Sequence, residues 1–224
     1  MDYKKILKQE EVQAFLKKGD KNLEILGYTD HSKQHCEIVA QRAGLILSKF
    51  GYSAHEIELA QMAGAMHDIG NAINRSHHGE YGAILAYHIL EKMGVALEDR
   101  VLIASAVGNH DESTGGAVDA ISAAVILADK TDVRRERVRG KEKANFDKHD
   151  RVNYAVTNAK VKIDTEKRQI SLNLQIDEKI CTMYEYFEIF LGRMMMCRRA
   201  AEVLGATFKL MANMESMKKT GGIL

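Results

Sequence analysis

Residues 66–71 read MHDIGN, with a histidine and an aspartate side by side at the end of the apolar run QMAGA. Because a helix through this run is apolar over most of its circumference, we expect Asp68 to be at least partly buried. A buried, ionised carboxylate is costly unless an arginine or lysine, a helix N-terminus or a metal ion meets it. The adjacent His67 favours a metal, because neutral imidazole and carboxylate together suit iron, manganese and zinc.

Further imidazoles are available, since eight of the nine histidines precede residue 111. A helix rises about 1.5 Å per residue, so residues ten or more apart on one helix are about 15 Å apart or farther. We therefore expect His55 and His88 to be ordinary surface or packing residues. The other candidates stand three, four or seven positions from apolar residues, a spacing that places them on core-facing helix surfaces.

Several polar groups on successive core-facing surfaces favour one shared metal site over separate structural hydrogen bonds. Spacing leaves two choices open. His31 and His35 are one turn apart on the same face, and either could be the ligand. His77 and His78 are adjacent, so only one should point inward. The remaining candidates are His67, Asp68, His110 and Asp129, with Asp111 and Glu112 as ligands or as partners of ligands.

The chain has no proline, so helices can run uninterrupted. Ser53 and Glu56 form a capping-box pattern at the start of one predicted helix, and Ser76 is placed to cap the next. The polar stretch 141–151 has the composition of a linker. The periodicity predicts helices over 4–18, 31–50, 54–69, 77–93, 97–110 and 119–133.

The period changes after the linker. Apolar residues alternate over 161–163 and 170–176 around DTEKR, which predicts a β-hairpin. Residues 179–214 return to a helical pattern, and its run RMMMC is typical of core packing, with a dimer face or pocket lid as alternatives. The predicted apolar stripe of this helix is Met183, Phe187, Phe190, Leu191, Met194 and Leu204.

The composition gives expectations about binding partners and cellular location. Thirty-two Lys and Arg nearly balance 31 Asp and Glu, so the net charge of +1 gives no argument for a nucleic-acid polymer or an anionic membrane as a partner. No apolar run is long enough to span a bilayer, and the charged N-terminus lacks a signal-peptide core. The three scattered cysteines fit no zinc ribbon or disulfide framework, and we expect a cytoplasmic protein.

Four residues in their contexts carry a family resemblance: His35 in HCEIVA, His67 and Asp68 in MHDIGN, and Asp129 in ILADKTD. Together they resemble the HD superfamily of metal-dependent phosphohydrolases, over about residues 28–135. HCEIVA is more similar to the first motif of that family than the context of His31 is, which favours His35. The resemblance implies a mainly α HD-domain helical bundle at 28–140. We expect an N-terminal helical extension at 1–27 and a small subdomain of β-hairpin and long helix at 141–224.

Two further segments resemble the HD-GYP proteins and related two-metal members. These are HGEYG, which starts at His78, and NHDE around His110. The resemblance implies two divalent transition-metal ions, iron or manganese, with Asp68 between them. His35, His67 and Asp129 would bind one ion, and His78 and His110 the other. The Gly-Tyr-Pro signature is absent, Asn71 replaces the usual lysine and Asp111 the second histidine, which argues against cleavage of cyclic di-GMP.

The resemblance implies that a metal-activated water hydrolyses a phosphate ester of a nucleotide or small phosphorylated metabolite. Alternatives are a mixed-valence di-iron oxygenase of the same superfamily and a non-catalytic, ligand-sensing protein. Besides Asp68, the candidate catalytic residues are Asp111 and His31, with Glu112 as a further acid or base. Lys130 and Arg134 are the candidate phosphate-binding residues, whereas we expect solvated side chains at Arg135, Arg137 and Arg139. A homodimer through the C-terminal helix is a possible assembly.

Overall fold

The structure is a computed structural model that describes residues 2–139 and 148–213. Within these ranges the chain is mainly helical, as predicted, with one small sheet. The helices are α1 (Tyr3–Ile6), α2 (Glu10–Ile25), α3 (Lys33–Lys49), α4 (Ala54–Met66), α5 (His78–Lys92), α6 (Leu97–Gly108), α7 (Ala120–Lys130), α8 (Lys148–Ala155) and α9 (Met183–Val203). Short 3-10 turns cover Ile69–Ala72 and Arg135–Arg137, and the strands are β1 (Val156–Asp164), β2 (Gln169–Ile176) and β3 (Thr207–Ala212).

Helix α7 lies at the centre of the bundle. All of its residues after the first are buried, because its sequence AISAAVILADK is apolar on every side between Ser122 and its last turn. Helices α3, α4, α6 and α9 pack around it. Its N-terminus is closed by a capping box between Asp119 and Ser122. The polar residues that end α7 are therefore held deep in the protein.

Helices α3 and α4 approach each other at a glycine. A Cβ atom added to Gly64 would lie 2.9 Å from the Cα atom of Ala40. The predicted capping box of Ser53 and Glu56 opens α4 and is confirmed. A second close approach follows α4, where a Cβ atom on Gly70 would overlap the carbonyl oxygen of His78. These glycines thus allow α4 to lie close to α3, and the chain after α4 to lie close to the start of α5.

The N-terminal prediction was wrong in its boundaries. A single helix over 4–18 was expected, but α1 ends at Ile6 and α2 runs from Glu10 to Ile25. The chain turns between them because Ile6 and Leu7 are both buried. Helix α2 packs against the first 3-10 turn, where the side chain of Asn22 donates hydrogen bonds to two backbone carbonyls.

Ser76 does not cap α5, contrary to prediction. The helix starts at His78, with His77 at the capping position and no side-chain cap. The backbone N–H of Ser76 instead donates a hydrogen bond to Asn74 Oδ1, at 2.8 Å. This turn precedes the start of α5.

The predicted β-hairpin is confirmed. Strands β1 and β2 pair antiparallel, with Val161 opposite Leu172 and Ile163 opposite Ile170. The predicted linker 141–151 is only partly testable, since 140–147 lie outside the described residues, and from residue 148 the chain is helical rather than linker.

The predicted helix over 179–214 was too long at both ends. Helix α9 stops at Val203, Gly205 adopts φ 62°, and the chain then forms β3 parallel to β2. The pairing of β3 with β2 is a long-range contact, which local sequence periodicity does not predict. The predicted stripe was also partly wrong, because Phe187 and Leu191 are exposed. Within the described ranges, no helix has the length and apolarity required to cross a bilayer.

Candidate metal centre

Six polar side chains that are far apart in the chain lie together in the interior. His35 is in the first turn of α3, His67 and Asp68 follow α4, and His78 starts α5. His110 lies just beyond α6, and Asp129 is in the last turn of α7. None of the six is more than 8% exposed. Their role as metal ligands stays a prediction, which the following distances support.

Asp68 stands between two groups of imidazoles. Its Oδ2 is 3.1 Å from His67 Nε2 and 3.7 Å from His35 Nε2. Its Oδ1 is 3.9 Å from His78 Nε2 and 4.0 Å from His110 Nε2. Each carboxylate oxygen therefore faces a different pair of histidines, as a carboxylate that bridges two cations would.

Asp129 completes the first group. Its Oδ1 is 3.1 Å from His35 Nε2 and 3.8 Å from His67 Nε2. The ligand atoms of His35, His67 and Asp129 all lie within 4.8 Å of one another, and so do those of Asp68, His78 and His110. A third set within that distance includes the buried Cys36 with His67 and Asp68. Burial raises the pKa of the Cys36 thiol.

The four rings are oriented alike. In each, Nδ1 is engaged by an oxygen that can only accept a hydrogen bond, which places a proton on Nδ1 and directs Nε2 inward. These contacts are His35 with Asp132 Oδ2 at 2.8 Å, His67 with the Gly64 carbonyl at 2.8 Å, His78 with the Arg75 carbonyl at 3.0 Å, and His110 with the Val107 carbonyl at 2.6 Å.

The inward atoms fit a cation. His78 Nε2 and His110 Nε2 are 3.1 Å apart, although both rings already hold their proton on Nδ1. His67 Nε2 and Asp68 Oδ2 are buried and have no hydrogen-bond partner among the described residues. Buried polar atoms normally have partners. Four imidazoles and two carboxylates form a donor set that suits divalent iron or manganese.

Electrostatics keep most of these groups in the form that binds metal. Burial, with Arg75 nearby, lowers the pKa of His78, and burial with His78 lowers the pKa of His110. Burial opposes ionisation of the carboxylates, but the charge of His67 holds the pKa of Asp68 well below its usual range. Burial also opposes ionisation of Asp129, but the positive charge of Lys130 holds the pKa of Asp129 well below its usual range. Burial likewise opposes protonation of His67, yet Asp68 raises its pKa, so a metal ion would replace a proton there.

The structure separates the pairs that spacing left open. His35 lies with Asp68 and Asp129, whereas the ring of His31 is 5.7 Å from that of His35 and its Nδ1 donates a hydrogen bond to the carbonyl of Thr29. His78 points into the centre, while the side chain of His77 is 60% exposed and lies near Glu80.

The remaining predicted residues lie at different distances from the cluster. Asp111 Oδ1 is 3.8 Å from His78 Nε2. Lys130 is buried and its Nζ donates to Asp129 Oδ2 at 2.5 Å. Arg134, however, binds Asp132 with two nitrogens and does not line the cavity described below.

The expectation of solvated side chains after α7 was wrong. Arg137 is only 6% exposed and donates to the carbonyls of Asp30 and Asp132. Arg139 binds Asp20, and Arg135 lies 4.5 Å over the ring of Tyr154. The second 3-10 turn folds these side chains back onto the protein, which a run of charges does not reveal.

A cavity of about 350 Å³ opens onto the cluster. The sequence reasoning missed several of its walls, notably Arg75 and Arg193, because they come from a loop and from the distant helix α9. Polar, charged and aromatic side chains dominate its lining: Tyr28, His31, Asp68, Arg75, His78, His110, Asp129, Lys130, Arg137, His149, Asp150, Asn153, Phe190 and Arg193.

Comparison with known proteins agrees with the geometry. An uncharacterized protein of Methanocaldococcus jannaschii is 30% identical over 162 residues, and the match covers 62% of this chain and 62% of that protein's length. A solved structure of a predicted HD superfamily hydrolase from an uncultured Thermotogales bacterium has a TM-score of 0.44 at 20% identity. It covers 60% of this chain and 75% of that one, a likeness too slight to add to the assignment. The family model described as HD domain matches residues 33–152, more than half of the chain, which therefore belongs to the HD domain family, whose members include metal-dependent hydrolases.

Proposed function

We propose that the protein is a metal-dependent phosphohydrolase that acts on a phosphate ester of a nucleotide or small phosphorylated metabolite. One observation carries this proposal: both oxygens of the buried Asp68 face imidazole Nε2 atoms, beside a cavity lined by cationic side chains. The proposed cofactor is a pair of divalent transition-metal ions, iron or manganese.

His35, His67 and Asp129 would hold one ion and His78 and His110 the other, with Asp68 between. When bound, such a pair lowers the pKa of a coordinated water and takes up charge on the phosphoryl oxygens. The protein's part is to keep its donors in place. Asp132 and three backbone carbonyls fix the imidazole rings before metal or substrate arrives.

Asp111 and His31 are unprotonated at neutral pH and lie beside the cluster. Burial raises the pKa of Asp111, but the Ser113 hydroxyl and His78 lower it to about 2, so the carboxylate is ionised at neutral pH. Burial lowers the pKa of His31 well below its ordinary value. Both groups can therefore accept hydrogen bonds from a bound water or substrate, although a lowered pKa makes each a weak proton acceptor, and Asp111 is nearer to the cluster.

Cations along the cavity would receive the phosphate. Arg75 donates to Asn71 Oδ1 at 3.2 Å and lies 5.1 Å over the ring of Tyr28. Arg137 uses Nε and Nη1 on backbone carbonyls. Guanidinium groups held in this way can bind phosphate without reorganising. They would also stabilise the negative charge that develops on the phosphate during the reaction.

The test is a phosphate-release screen over nucleotides and sugar phosphates, with added manganese or ferrous iron. We expect activity in the wild type and its loss in Asp68→Ala. His78→Ala should lower the metal content from about two ions per chain toward one, because it removes a ligand of one ion only. The matched control is His77→Ala, the adjacent exposed histidine, which should keep both ions.

An inert wild type across the panel, or Asp68→Ala with wild-type activity, would refute the hydrolase proposal. The same donor set also suits a di-iron oxygenase, so each assay is run with and without dioxygen. A hydrolase releases phosphate equally well in both conditions. Phosphate release that requires dioxygen, or oxygen uptake without phosphate release, would favour the oxygenase.

We also propose a homodimer through α9. Four exposed apolar side chains share one face of this helix: Tyr184, Phe187, Leu191 and Met195. An antiparallel second copy of α9 would cover these four side chains with the same four of its own. The proposal includes no nucleic-acid polymer and no membrane as partner, and a cytoplasmic location stays a prediction.

A further inference from the structure

The C-terminal segment forms part of the cavity wall. His149, Asp150 and Asn153 of α8 and Phe190 and Arg193 of α9 line the same cavity as the metal-ligand candidates. None of these five belongs to the imidazole and carboxylate cluster. Their position therefore bears on what else the cavity recognises.

Arg193 is held in place, and one of its guanidinium donors has no hydrogen-bond acceptor. Its guanidinium lies 4.6 Å over the ring of Phe190, one turn earlier on the same helix. Its Nε is buried and has no hydrogen-bond partner among the described residues. Glu112 forms an ion pair with Arg193, but its Oε2 lies 3.7 Å from this Nε, beyond hydrogen-bonding distance.

Each of the other cationic side chains of the cavity already has a hydrogen-bond acceptor within the protein. Lys130 is bonded to Asp129, Arg75 to Asn71, and Arg137 to two backbone carbonyls. A buried guanidinium donor without an acceptor is unfavourable, and an anion supplies the acceptor with a strong, charge-assisted bond.

The cavity carries more cationic side chains than carboxylates. Four cationic side chains line it against three carboxylates, and two of these carboxylates, Asp68 and Asp129, face the imidazole cluster. Metal ions at the cluster would add further positive charge. A cavity of about 350 Å³ is at the lower end of the roughly 300–1,000 Å³ of small-molecule sites, so the ligand is a single small molecule.

We propose that Arg193 binds a second anionic group of the substrate, a phosphate or a carboxylate, apart from the phosphate at the metal cluster. The substrate class is then a small bisphosphate or a phosphorylated acid. The inference rests on the proposed phosphohydrolase function, and Arg193 is its specificity-determining residue. Helix α9, which follows the residues that match the HD domain, thereby selects the substrate of the candidate metal centre.

The test uses probes that cannot be hydrolysed, so that it does not depend on turnover. Binding of propylphosphonate, 3-phosphonopropionate and propane-1,3-bisphosphonate to the full-length, manganese-loaded protein is measured by isothermal titration calorimetry. We expect a probe with two anionic groups to bind about tenfold or more tightly than propylphosphonate, because it adds a charge-assisted hydrogen bond. A preference for the bisphosphonate identifies a phosphate as the second group, and one for the phosphonocarboxylate identifies a carboxylate.

Arg193→Gln should abolish this preference. The matched control is Arg198→Gln on the same helix, whose side chain is 61% exposed and pairs with Glu202, and it should keep the preference. Thermal unfolding of both variants verifies folding. Equal or undetectable binding of all three probes by the wild type, or a preference that survives in Arg193→Gln, would overturn the proposal.

The two proposals fail differently. A wild-type protein that releases phosphate but binds all three probes equally would refute the role of Arg193 and leave the hydrolase. A wild-type protein that shows the probe preference but releases no phosphate would refute the hydrolase and retain the second anion site.

Discussion

Replacing Asp132 by asparagine tests whether this buried carboxylate orients His35 for metal binding. The side chain of Asp132 is fully buried. Its Oδ2 accepts a hydrogen bond from His35 Nδ1 at 2.8 Å, and Arg134 donates to both of its oxygens. Every neighbour is thus a donor, and only a carboxylate can accept from all of them.

Asparagine offers one acceptor oxygen and one NH₂ group. If the NH₂ group faces His35, the ring must move its proton from Nδ1 to Nε2, where the metal would bind. If it faces Arg134, that guanidinium loses a buried partner. Removing such a partner of a metal-bound histidine costs about 10–100-fold in metal affinity, or about 1.4–2.8 kcal/mol.

The assay is manganese affinity, measured by equilibrium dialysis on the full-length chain, with unfolding temperature as a separate readout. The matched control is Asp99→Asn, because Asp99 Oδ1 also lies 2.8 Å from a histidine, His55, but on the surface. We expect a weakened metal affinity in Asp132→Asn and an unchanged affinity in Asp99→Asn. A folded Asp132→Asn protein that binds manganese as tightly as the wild type would show that this carboxylate does not orient the ring.

Three further predictions concern packing, metal and assembly. Gly64→Ala places a Cβ atom 2.9 Å from Ala40 Cα and should lower the free energy of unfolding by about 1–3 kcal/mol in denaturant unfolding. The control is Gly108→Ala, whose Cβ atom would make an ordinary contact at 3.4 Å and should change the free energy of unfolding by less than about 0.5 kcal/mol. Chelation of the metal should lower the unfolding temperature, since a ligand at 100 times its Kd stabilises by about 2.7 kcal/mol, and added manganese should restore it; an unaffected transition would contradict the metal site. Leu191→Glu should convert the proposed dimer to a monomer in light scattering, and a wild type that is already monomeric would refute the α9 interface.

Local sequence patterns anticipated most helices and the hairpin. Apolar residues at helical spacing mark the face that meets the core, and a polar residue on that face, such as His35 or Asp129, is recognisable because burial must be compensated. The boundaries of α1, α2 and α9 were less predictable. They depend on whether the chain can bury Ile6 and Leu7, or pair β3 with β2, and both are tertiary matters.

The sequence by itself determined which residue types could form a metal centre and on which helices they lie, because a 3.6-residue period relates neighbouring positions to one face. Only the tertiary structure decided which faces meet. It placed His35 rather than His31 beside Asp129, folded Arg137 inward, and carried Arg193 from α9 to the cavity wall. The physical reason is that helix periodicity is a local property, whereas contact between helices depends on packing among segments far apart in the chain.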